Sequence, residues 1–81
     1  MILIVDDNLN NIYSLKKLLE SEGFLVDTAV SGQESLSKAL QNDYSLFILD
    51  VQMPEMDGFE LAEILTGYNK TKEIPILFLS A

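Results

Sequence analysis

Apolar residues in this chain follow two spacings. Short continuous runs occur at Ile2 to Val5, Leu46 to Leu49 and Ile74 to Leu79. Runs without polar alternation suit strands covered on both faces of a parallel sheet. Phe24 to Val30 is a fourth strand segment. Between the runs, apolar positions recur at helical spacing. Ile12, Leu15, Leu18 and Leu19 form one stripe, with Lys16, Lys17, Glu20 and Glu22 off it and Gly23 as a C-terminal stop. Ser31-Gly32-Gln33-Glu34 has the spacing of a capping box and opens a second helix with Leu36, Ala39 and Leu40 inward. A loop from Val51 to Asp57 contains Pro54. A third helix starts near Gly58 or Phe59, buries some of Phe59, Ala62, Ile64 and Leu65, and stops at Gly67. Residues 68–73 are a polar connection, and Pro75 fits the first residues of the last strand.

The order is βαβαβαβ, which predicts an α/β fold with a mostly parallel sheet and right-handed crossovers. No repeat, linker or low-complexity segment divides the chain. In such sheets ligands bind beyond the carboxyl ends of the strands, where strand order reverses. Three of the apolar runs end in a reactive side chain: Asp6 and Asp7 after the first, Asp50 after the third, and Ser80 after the last.

Composition narrows the chemistry. Eighty-one residues are one small domain at most, and 48% hydrophobic content makes the chain globular. No apolar run approaches the roughly 18 to 20 residues of a membrane span. The apolar start is too short for a signal peptide and has no basic leader, so the expected location is cytoplasmic. The formal charge is −8, with thirteen acids against five lysines and no arginine. That opposes nucleic-acid binding by this segment, which needs clustered cations. With no cysteine there is no thiolate or cysteine-based zinc chemistry. With no histidine there is no Ser-His pair and no phosphohistidine, so any phosphoryl group must arrive from elsewhere.

Taken singly, the candidate residues are weak signals. Asp6-Asp7 would suit a helix cap, Asp50 a turn, and Ser80 says almost nothing. Together they put three carboxylates and a hydroxyl at the same end of neighbouring strands. Acids held together repel unless a cation neutralises them. Hard oxygen donors favour Mg²⁺, which keeps waters and accepts a substrate phosphate. A carboxylate beside that ion is a candidate nucleophile toward phosphorus.

The segments Ile4-Val5-Asp6-Asp7-Asn8, Leu49-Asp50-Val51-Gln52-Met53-Pro54-Glu55-Met56-Asp57-Gly58 and Ile74-Pro75-Ile76-Leu77-Phe78-Leu79-Ser80-Ala81 resemble, in order, the signature segments of the receiver domain of two-component signalling. The Asn-Leu-Asn-Asn run after the acid pair resembles receivers of hybrid histidine kinases and of some response regulators. The resemblance implies a doubly wound, flavodoxin-like fold, with residues 1–81 as the N-terminal two-thirds of the domain. It implies Asp50 as phosphoacceptor, Asp7 as direct Mg²⁺ ligand, and Asp6 as the acid holding metal-bound water. The backbone carbonyl of Gln52 is a further ligand, and Ser80 is the switch hydroxyl. Ala81 is the small residue beside it, and Pro54 and Gly58 shape the loop. The implied phosphoryl donor is a sensor histidine kinase or a histidine phosphotransfer protein, and the implied role is a switch, not a metabolic enzyme. The family's fifth strand, its Lys and the last helices lie outside these residues, and Lys70 and Lys72 precede the fourth strand.

Other readings are a receiver-like module that only binds protein partners and a Mg²⁺-dependent phosphohydrolase. The latter usually has a second Asp two residues on, where Gln52 stands. No P-loop motif is present, and Asp6-Asp7 would repel the phosphate of FMN. A chain ending at Ala81 would leave apolar surface and a strand edge bare, predicting a homodimer or swapped assembly.

Overall fold

The computed structural model describes residues 1–79. Seven elements alternate: β1 (Ile2–Val5), α1 (Leu9–Ser21), β2 (Val26–Ala29), α2 (Gly32–Gln41), β3 (Leu46–Asp50), α3 (Gly58–Gly67) and β4 (Ile76–Leu79). The strands form one parallel sheet in the order β2-β1-β3-β4. This is the doubly wound, flavodoxin-like topology. Strand order reverses between β1 and β3, so the crevice lies above Val5 and Leu49, which are partners in register.

The sheet separates two apolar clusters. Leu3, Val5, Phe47 and Leu49 face one way and pack with Ala39 of α2 and with Leu61 and Leu65 of α3. Ile2, Ile4 and Ile48 face the other way and pack with Ile12, Leu15 and Leu19 of α1. Period-two alternation along each strand supplies both layers.

Several sequence expectations change here. The second strand spans only Val26–Ala29; Phe24, Leu25 and Val30 are exposed. The last strand begins at Ile76, because Pro75 lacks the N–H of a ladder donor, although its carbonyl still accepts from Phe47. Leu18 is 59% exposed and Leu40 50% exposed, so neither faces the core. On α3, Leu61 is fully buried, whereas Phe59 is outside and packs at a tilt against Phe78, with centroids 4.9 Å apart. Thr71, within the polar connection, is buried and its hydroxyl donates to the Leu65 carbonyl near the end of α3.

An ionic clamp ties strand β2 to its neighbours. Tyr44 Oη donates to Asp27 Oδ2 at 2.6 Å, and Lys38 Nζ lies 3.3 Å from Asp27 Oδ1. Burial pushes the Asp27 carboxyl up, but the Tyr44 hydroxyl, the Thr28 N–H and Lys38 outweigh it and hold the carboxyl below its ordinary value.

Leu61 and Leu40 give a direct test of these orientations. Leu61→Ala should lower stability by about 2–5 kcal/mol. Leu40→Ala should change it by no more than about 0.5 kcal/mol. Urea midpoints at a shared m-value would measure both. Equal losses would contradict the helix orientations described.

Candidate functional site

Three local devices build the crevice. The first is the turn after β1. Asp6 is 2% exposed, and its Oδ1 accepts the Asn8 N–H at 2.9 Å, closing a side-chain-mediated turn. Asn8 then caps α1, its Oδ1 accepting the N–H groups of Asn10 and Asn11 at 2.9 and 3.1 Å. The capping role considered for the acid pair therefore falls to Asn8. Asp7 stays exposed at the rim.

The second device is the end of β3. Asp50 is half-buried, and the Gln52 N–H binds its Oδ1 at 3.1 Å. Burial pushes the Asp50 carboxyl above its ordinary 3.8; the Gln52 N–H opposes this, while the charge of Asp6, a hydrogen bond with it and the charge of Asp7 add to it.

The third is the entry to α3. Asp57 and Glu60 make a reciprocal capping box, at 2.8 and 3.2 Å. The D-x-x-E spacing carried that signal in the sequence. At Ser31 the box is only half formed: Glu34 reaches back to the Val30 N–H instead of the Ser31 N–H. Gly58 follows the α3 cap, and a side chain there would overlap the Asp50 carbonyl. Ahead of it, the Met56 N–H donates to the Pro54 carbonyl at 2.7 Å across Glu55, whose φ is +69°. After this tight turn the chain returns to the end of β3, where the Gly58 N–H donates to the Val51 carbonyl.

Asp6, Asp7 and Asp50 each offer an oxygen within 4.8 Å of the others. Three hard oxygen donors gathered in this way are the donor type that suits Mg²⁺. A cavity of about 610 Å³ opens beside the acids, walled by Asn11, Ser14, Leu15, Leu18, Gln52 and Leu79. Lys70 pairs with Asp43 at 2.7 Å. Ser80 and Ala81 lie outside the described residues.

A carboxyl with a raised folded-state pKa binds more protons folded than unfolded, so stability falls as pH rises through that interval. Asp50→Asn should therefore raise the melting temperature in EDTA at pH 7, and the gain should vanish near pH 3. A gain that persists at pH 3 would contradict this account. Separately, Gly58→Ala should lose about 1–3 kcal/mol by overpacking. Gly67→Ala, with no atom within 4 Å of the added carbon, should gain up to about 1 kcal/mol in helix propensity. Urea unfolding would report both.

Comparison with known proteins agrees with the geometry. Residues 2–81 match the family model of the response regulator receiver domain. The transcriptional regulatory protein SrrA of Staphylococcus aureus is 41% identical over 80 residues, covering 99% of this chain and 32% of that protein. The chain thus spans about a third of the length of the curated relatives it matches. The response regulator TrrA of Thermotoga maritima, solved in complex with Mg(2+)-BeF, is 41% identical with a TM-score of 0.92, over 99% of this chain and 68% of that one. The N-terminal domain of a response regulator receiver protein from Methanoculleus marisnigri has a TM-score of 0.95 at 36% identity, over 99% of this chain and 65% of that one. With its sheet order, its acid crevice and these matches, the chain belongs to the response regulator receiver domains of two-component systems.

Proposed function

We propose that Asp50 is a phosphoacceptor, charged by a phosphohistidine of a sensor histidine kinase or a histidine phosphotransfer protein. The observation that carries this reading is the convergence of Asp6, Asp7 and Asp50 at the switch point, within 4.8 Å of one another. A structural role for three clustered acids is poor, because each adds repulsion. As a cation-dependent site the same arrangement is productive.

Asp7, Asp50 and the Gln52 carbonyl would hold Mg²⁺, and Asp6 would hold its waters. The bound ion would neutralise the acids and draw charge from the phosphoryl oxygens. The chain's own residues do the rest. The Gln52 N–H fixes one oxygen of Asp50. An Asp50 oxygen forms the new bond to phosphorus as the phosphorus–nitrogen bond breaks, and the electron pair leaves on the imidazole nitrogen. Hydrolysis by water returns the free carboxylate. The Ser80 hydroxyl would donate to a phosphoryl oxygen and shift the population toward a signalling surface. Within these 81 residues no histidine is present to act as donor, consistent with a partner supplying it.

Residues 1–81 serve in this reading as the N-terminal part of a receiver that works in the cytoplasm as a switch, not as a metabolic enzyme. Among the described residues no helix is long and apolar enough to cross a membrane.

The test is intact mass after incubation with acetyl phosphate and Mg²⁺. One phosphoryl increment is expected, absent in Asp50→Asn and absent in EDTA. A chain that is folded and binds divalent cation, yet gains no phosphoryl group, would instead support the module that only binds partners.

A further inference from the structure

Asp6 is held twice. Its Oδ1 takes the Asn8 N–H, a bond the tight turn would form with many residues at position 8. Its Oδ2 takes the side-chain amide of Asn11, at 3.2 Å, from the first turn of α1. That second bond depends on residue type. The opposite amide orientation would set two acceptor oxygens against each other. Nor is Asn11 needed as a cap: Asn8 already caps the helix, and Asn11 enters that cap through its backbone N–H. Its side chain also lines the cavity beside the acids. Asp6 lies at the end of a strand, whereas Asn11 lies on a helix. The contact therefore couples the angle of one acid to the seating of α1.

We infer that Asn11 is a positioning residue of the cation site. It aims the Asp6 carboxylate at the ion's water shell and so sets divalent-cation affinity. This rests on the cation-dependent reading above. Loss of a group that orients a metal-facing side chain commonly weakens binding by 10-fold or more.

The test is Mn²⁺ binding to the full chain, read from the free-Mn²⁺ electron paramagnetic resonance signal, with melting curves in EDTA alongside. Asn11→Leu removes the donor at similar size and should weaken Mn²⁺ binding roughly tenfold. Asn11→Gln, which keeps an amide donor, should fall between Asn11→Leu and the parent. Asn10→Leu, an exposed change in the same helical turn, controls for helix effects and should leave affinity unchanged. Unchanged affinity in Asn11→Leu would overturn the role, as would equal losses in Asn11→Leu and Asn11→Gln. A parent chain that binds no Mn²⁺ would overturn the cation site itself, and this role with it.

Discussion

The four strands of the described residues run in one direction, and the rest of the site depends on that constraint. Parallel strands bring their carboxyl ends to a single edge, and the reversal of order between β1 and β3 opens a crevice there. Whatever residues follow Val5 and Leu49 must meet. Here those residues are acids. Burial of Leu3, Val5, Phe47 and Leu49 fixes the two strands in register, so the apolar core determines how closely like charges approach. The packing of the core and the electrostatics of the site are therefore one problem.

What keeps the site open is the division of labour in the loops. Acids at a strand–helix junction tend to be absorbed as caps. Asn8 takes that task for α1, and Asp57 takes it for α3. Asp7 and Asp50 are left facing the crevice. Gly58 lets the start of α3 approach the Asp50 carbonyl, where any side chain would collide. The loop with positive φ at Glu55 turns the chain between these two points. Each device is local, yet each acts on the same few carboxylate oxygens.

The element order and the acid cluster were legible in the sequence because they rest on strong signals. Unbroken apolar runs identify covered strands, and acids directly after them mark strand ends. Orientation on the helix surfaces was less legible. Leu18 and Leu40 fit the apolar spacing of their helices, yet each lies outside the packed arc. Periodicity gives the direction of a stripe but not its width. On α3 apolar residues occupy more than one face, so spacing alone does not separate buried Leu61 from exposed Phe59. Asn11 belongs to the Asn-Leu-Asn-Asn run, but that run does not tell which of its amides meets an acid. Its bond to Asp6 appears only when the turn after β1 brings a strand end over the first turn of a helix.

The charge cluster also bears on stability. With no cation bound, burial and the charges of Asp6 and Asp7 disfavour the ionised form of Asp50 in the folded chain. Folded domains are stable by only about 5–15 kcal/mol, so a local penalty is felt globally. A cation that binds only the folded chain restores stability by mass action, about 1.4 kcal/mol at a tenfold excess over Kd. That contribution is comparable to burying one additional aliphatic side chain. The acids are thus a cost when the crevice is empty and a source of folding free energy when it is filled. Under the proposed function, the ion that would assist phosphoryl transfer would also stabilise the fold, because both effects act through the same three carboxylates.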